Sequence, residues 1–262
     1  MSDKETSRQK SLVSADPWAK LRQVTSARIA LGRAGGSLPT APLLEFQLAH
    51  ARARDAVHLA FDAEGVQRQL QERGHAVRRV HSEAASRTDY LRRPDLGRRL
   101  DPPSRAALAE SAAGGGSGFD AAFVIADGLS PLAIHSHAVA VIDLAWQALV
   151  QAGWRLAPVI VAEQSRVALG DEIGTLLAAE QVAILIGERP GLSAADSLGI
   201  YLTYAPRVGS TDAERNCISN IRPEGLGYQE AAQTLVRLMT RARRCRLTGV
   251  GLKDVEGLMP EE

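Results

Sequence analysis

This chain of 262 residues is short of cysteine, lysine and aromatic side chains. Its two cysteines, Cys217 and Cys245, are too few for a disulfide framework or a zinc cluster. They suit a reducing interior. Aromatics make up 4% of the chain. Tyr90 is the only aromatic in the arginine-rich stretch 66–105, so that stretch is not read as a base-stacking surface. Lysine occurs only at Lys4, Lys10, Lys20 and Lys253, although Lys and Arg together number 31. Positive charge is therefore carried mainly by arginine, whose planar fork suits carboxylate, phosphate and amide oxygens. A GC-rich coding genome would give the same bias. The net charge of +1 argues against a general attraction to nucleic acid or acidic membrane. No apolar run approaches the ~20 residues of a membrane span. Met1–Ser14 has no apolar core of the secretory type. The expectation is a soluble cytoplasmic chain with no nucleic-acid or membrane partner.

Several catalytic signatures are missing as well. No Gly-x-Gly-x-x-Gly follows the first strand, so the dinucleotide fingerprint is absent. The glycine-rich loop Leu31–Thr40 lacks the Gly-Lys-Ser/Thr ending of a phosphate loop. There is no Gly-x-Ser-x-Gly nucleophile elbow. His50 and His58 lie eight positions apart on an expected helix, about 12 Å, which is too far to share a metal ion. His135 and His137 are two apart and point to different sides of theirs. Neither a metal site nor a catalytic side chain is assigned to this chain.

What is present is a series of apolar runs, each followed by a polar loop. Ala122–Ala126 leads into Asp127–Ser130, Pro158–Ala162 into Glu163–Val167, and Val182–Ile186 into Gly187–Gly191. Buried strands ending in ligand-capable loops indicate an α/β fold with a mostly parallel, Rossmann-like, doubly wound sheet. Helices are expected at Leu43–Phe61, Pro131–Gln151, Asp171–Ala179 and Tyr228–Cys245, and a further strand at Gly199–Tyr204. The organisation reads as a mobile segment 1–15, a mainly helical region 16–113 and an α/β domain 119–262. Gly114–Gly118 is the linker before that domain. No long elements are assigned to 66–105, and Pro206–Gly227 reads as a polar loop.

Three loops stand out chemically. Glu163–Val167 carries an acid, an amide, a hydroxyl and a guanidinium. Glu188-Arg189 sits in a stiff Gly/Pro turn. Glu214–Asn220 is dense in hydrogen-bonding groups. An apolar floor with an amide, hydroxyl and carboxylate rim suits a large, amide-bearing ligand.

These strings resemble the small (light) subunit of ethanolamine ammonia-lyase. The resemblance runs through Leu31–Thr40 and Phe46–His58, Ala126–Ser130, Gln164–Glu172, Ile186–Leu192, Tyr201–Pro206 and Asp212–Gly225. It covers roughly 17–62 and 119–254. It implies one subunit of an adenosylcobalamin-dependent carbon–nitrogen lyase that converts ethanolamine into acetaldehyde and ammonia by radical chemistry. A large subunit would hold the substrate in a hetero-oligomer, and this chain would bind and seal the cofactor. It also implies location within a bacterial microcompartment, reached through the N-terminal segment; Met1–Ser14 has weak amphipathic periodicity. Carried over position by position, the family's cobalamin contacts fall on Val167, Glu188 and Cys217. Glu188 would accept from amide N–H groups, Val167 would pack on the corrin disc, and Cys217 would be a soft contact without a thiol role. Arg166 would meet the cofactor's phosphate. Because Asp-x-His-x-x-Gly is absent, the cofactor's own base is expected to stay on cobalt. The competing readings are a stand-alone nucleotide-binding α/β enzyme and a non-enzymatic interaction module.

Overall fold

The structure, a computed structural model, describes residues 12–25, 27–113 and 118–252. Most of the expected N-terminal segment and Gly114–Ser117 of the expected linker lie outside the described residues. The chain divides into two compact units, Met1–Ala53 and Arg54–Glu262. In the first, Asp16 accepts from the Trp18 N–H at 2.8 Å and precedes a short 3-10 helix, Ala19–Gln23. The expected helix of this region runs from Thr40 to His58.

The second unit holds one six-stranded sheet. Its strands are β1 (Val77–His81), β2 (Ala121–Ala126), β3 (Val159–Glu163), β4 (Gln181–Gly187), β5 (Leu198–Tyr204) and β6 (Asn216–Ile221), in the order β1-β3-β2-β4-β5-β6. The first four are parallel; β5 alone is reversed, pairing antiparallel with both β4 and β6. The sheet is therefore mixed, which corrects the mostly parallel expectation. The cause lies between β4 and β5. A parallel return needs a crossover of about a dozen residues or more, usually helical. Residues 188–197 contain no helix, so the chain turns back as a hairpin.

Two strands were not legible as such. β1 carries Arg78 and Arg79 at its centre, but it is an edge strand, where charge is tolerated. Arg79 pairs with Glu163 of the neighbouring strand at 2.7 Å. β6 lies on the other edge and buries only Ile218 and Ile221, so its sequence looks like a polar loop. Cys217 consequently stands on a strand rather than in a turn.

β2 and β4 are buried at every position, as central strands covered on both faces should be. Alternation along β2 feeds two cores. Phe123 and Ile125 pack with Ile134, Ile142, Leu149 and Leu235 on one face. Val124 packs with Leu108, Leu169, Ile173 and Ile184 on the other. The first face is covered by the helices Pro131–Gln151 and Tyr228–Cys245, the second by Pro102–Ala113 and Leu169–Leu176. Ser130 caps the helix Pro131–Gln151 by accepting from the Ala133 N–H at 3.3 Å. By length and composition this 21-residue helix could cross a membrane, contrary to the sequence reading. Ile134, Ile142 and Leu149 instead bury its apolar face on the sheet.

The helices following β2 and β3 pack on opposite faces, and β2 lies between β3 and β4. This is a topological switch point. Open α/β sheets form a ligand crevice there, beyond the carboxyl ends of the strands.

A cleft at the switch point

Close backbone approach shapes the crevice. Gly128, after β2, has φ +58°, and a Cβ there would lie 2.3 Å from the Gly187 carbonyl oxygen. The Leu129 N–H donates to that same oxygen at 2.9 Å. A side chain at either glycine would push the β2 and β4 loops apart.

Asp127 joins the β2 and β3 loops from below. It is fully buried and accepts from the N–H groups of Gly128 at 3.0 Å and Ser165 at 2.8 Å. Arg87 Nη1 donates to it at 3.2 Å and to the Gly128 carbonyl at 2.8 Å. Burial pushes the Asp127 carboxyl up to about 6, against the pull of these donors. Burial likewise lowers the Arg87 guanidinium from its ordinary value.

Tyr90 forms the side wall. Arg166 and Arg87 place their guanidinium carbons 4.1 Å and 4.7 Å from its ring centroid. The Tyr90 hydroxyl donates to the Ser165 carbonyl at 3.2 Å. Arg166 Nη2 donates to the Tyr90 carbonyl at 3.1 Å. Desolvation holds the Tyr90 hydroxyl above its ordinary value.

The resulting cleft encloses about 460 Å³ and is lined by Tyr90, Gly128, Leu129, Arg166, Val167, Ile186, Gly187, Glu188, Arg189 and Tyr201. Three of the four sequence-derived site residues, Arg166, Val167 and Glu188, are thus brought to one cavity. Val167 is half-buried against the second core face. Glu188 Oε2 accepts from the Ser197 hydroxyl and from the Asn220 N–H. Among the described residues, Oε1 accepts no hydrogen bond. A Cβ at Gly199 would stand 2.8 Å from it.

Cys217 does not line this cavity. It pairs in register with Tyr201, which does. The two side chains influence each other electrostatically. Desolvation, with the nearby Cys217 and Glu188, pushes Tyr201 up to about 12. The Cys217 thiol is also raised, first by partial desolvation and then by the Glu188 charge, which fits a neutral contact rather than a nucleophile.

Arg166 and Val167 also line an adjoining cavity of about 590 Å³ that carries Arg98, Arg99 and Arg215. Tyr90, Asp127, Arg87 and Tyr201 were not singled out from the sequence. Tyr90 was visible only as the lone aromatic among arginines.

Comparison with known proteins identifies a family for the chain. The family Ethanolamine ammonia-lyase light chain (EutC) matches residues 15–253. The small subunit of ethanolamine ammonia-lyase from Ralstonia nicotianae is 57% identical over 242 residues, 92% of this chain and 90% of its own length. That from Xanthomonas campestris pv. campestris is 59% identical over 239 residues, covering 91% and 88%. That from Pseudomonas aeruginosa is 56% identical over 239 residues, covering 91% and 88%. The chain belongs to the ethanolamine ammonia-lyase light chain family.

Proposed function

We propose that this chain binds adenosylcobalamin in the switch-point cleft and, with a large subunit, converts ethanolamine into acetaldehyde and ammonia. The observation that carries the reading is the meeting of Arg166, Val167 and Glu188 in one cleft rimmed by Gly128 and Gly187.

The donor set suits a corrinoid, an apolar disc fringed with amides and carrying a phosphate. Val167 and Leu129 offer apolar contact, and Glu188 Oε1 offers an acceptor for amide N–H groups. Among the described residues, the buried Arg166 Nε and Gln164 Oε1 have no hydrogen-bond partner. Buried polar atoms are rarely left so. Both atoms are closed off from the cleft as it stands, so an amide or phosphate fringe would reach them only after a side-chain shift. Cavities of roughly 300–1,000 Å³ enclose drug-sized ligands. A corrinoid is larger, so this cleft would hold one side of it and leave the other for the large subunit.

When bound, adenosylcobalamin supplies radical chemistry; a protein contributes orientation and exclusion of water. In this chain Glu188 and Arg166 would fix the ring's rotation through its fringe. Val167, Leu129 and Tyr201 would keep water from that side. Cys217 would act through Tyr201, its register partner on the neighbouring strand.

The test is co-expression with a large subunit, with aldehyde formed from ethanolamine measured with and without adenosylcobalamin. Activity should require the cofactor, and Glu188→Ala and Val167→Asp should each weaken its binding. Undiminished cofactor affinity in both variants would overturn the reading. Tight binding of a nicotinamide cofactor by the chain would favour a stand-alone nucleotide enzyme instead.

A further inference from the structure

We infer that His137 is a positioning residue for the Glu188 carboxylate, acting through Asp196 on the two segments that hold it. This rests on the reading of Glu188 as a cofactor contact.

His137 sits in a single π-helical turn, Ile134–Ala138, at the start of the long helix after β2. Such turns are frequent at functional sites. Its side chain is 5% exposed. Nδ1 lies 2.7 Å from the Tyr228 hydroxyl and Nε2 lies 3.2 Å from Asp196 Oδ2. The other Asp196 oxygen accepts from Arg222 Nη1 at 2.8 Å. Asp196 therefore ties three separate pieces of chain: the π turn, the β4–β5 hairpin and the segment leaving β6.

Those pieces lead to Glu188. Ser197, next to Asp196, donates its hydroxyl to Glu188 Oε2, and its carbonyl accepts from the Glu188 N–H at 2.9 Å. Ala195, on the other side, has its carbonyl held by the Ser130 hydroxyl at 2.8 Å. Asn220, two residues before Arg222, supplies the second donor to Glu188 Oε2, at 3.3 Å. Both donors to the carboxylate thus stand one or two residues from the Asp196–Arg222 pair. His137, itself buried, holds the second Asp196 oxygen, while the Asp196–Arg222 pair stays partly open to solvent. With three anchored residues in a row, the hairpin offers Glu188 few alternative rotamers.

A merely structural histidine and a positioning histidine differ in which nitrogen matters. Asparagine places its amide near Nδ1, and glutamine near Nε2. In the complex with the large subunit, His137→Asn should keep the Tyr228 contact and lose Asp196. His137→Gln should do the reverse. Adenosylcobalamin is titrated into each cofactor-free complex by absorbance, with melting temperature read in parallel. The Asn variant should bind about tenfold more weakly, and the Gln variant within about twofold of the parent. The double variant His137→Asn/Glu188→Ala should bind no worse than Glu188→Ala alone. Equal affinity of the Asn variant and the parent, or additive losses in the double variant, would overturn the inference. Failure of Glu188→Ala itself to weaken binding would instead remove the cofactor reading on which it rests.

Discussion

Gly187 and Ser130 approach so closely that a Cβ on Gly187 would stand 2.1 Å from the Ser130 carbonyl oxygen. The same Cβ would lie 2.7 Å from the Asp127 carbonyl oxygen. Backbone on both sides leaves no flexible group to yield. Gly187→Ala must therefore shift the β2 or β4 loop, at about 3 kcal/mol. For a chain of this size that is a fall in melting temperature of roughly 6–12 °C. Gly191→Ala is the control: its nearest atom would be 3.7 Å away, and its melting temperature should stay within about 2 °C of the parent. Equal melting temperatures for the two variants would contradict this account of the rim.

The central strands and their loops were legible because burial on both faces leaves an unbroken apolar run. Phe123 stands in an all-apolar strand, and Ile184 in one whose only polar side chain is Gln181 at its start. The edges were not legible. Arg78 and Arg79 in β1 face water or Glu163, and Ser219 and Asn220 in β6 are exposed, so neither strand shows a clear period of two. Site residues in loops after strands could be found by position alone. Asp127 stands in such a loop, but its pairing with Arg87, like the bond from Tyr90 to Ser165, joins residues about 40 to 75 positions apart, which no local pattern announces. Cys217 was named from family likeness; its relation to the cleft through Tyr201 required the pairing of β5 with β6.

Asp127 gives a pH signature. Its carboxyl titrates near 6 when buried, against 3.8 for an ordinary aspartate. Between those values the folded chain holds a proton that the unfolded chain has released. Stability from this group is therefore present below about pH 4 and lost as pH rises through about 6. The total is about 3 kcal/mol, from roughly 1.4 kcal/mol per pKa unit. Subtracting the melting curve series of Asp127→Asn from that of the parent, between pH 4 and 7, should reveal this slope. A flat difference would show that the Gly128, Ser165 and Arg87 donors outweigh desolvation.

Tyr90 separates a hydrogen bond from a cation–π wall. Tyr90→Phe loses the bond to the Ser165 carbonyl but keeps the ring between Arg87 and Arg166. It should cost about 1 kcal/mol and leave cofactor affinity nearly unchanged. Tyr90→Leu removes the ring face itself. It should cost about 3 kcal/mol and, by releasing Arg166, weaken cofactor binding several-fold. Thermal melting and absorbance titration of the complex read the two effects separately. Equal affinity losses in both variants would mean that the hydroxyl, not the ring, sets Arg166.

The histidines of this chain bear on which base would reach cobalt in the proposed cofactor. There are six, and none lines the cleft. His75 is held by Asp143 at 2.6 Å, and His81 Nδ1 lies 2.7 Å from the Ser82 carbonyl. His135 Nε2 accepts from the Asp62 N–H at 3.0 Å, and its ring stacks on Phe61. His137 is committed to Tyr228 and Asp196. His50 and His58 lie on the helix Thr40–His58, two turns apart. Moving any of the four partnered rings to a metal would strand buried or half-buried partners, at about 1–3 kcal/mol for each lost hydrogen bond. If the chain binds the proposed corrinoid, the cofactor's own base should therefore stay on cobalt, with none of these four imidazoles replacing it. Growth on ¹⁵N-histidine should leave the electron spin resonance splitting of the bound corrinoid unchanged. An altered splitting that disappears in a single His→Gln variant of this chain would identify a protein ligand and refute the assignment.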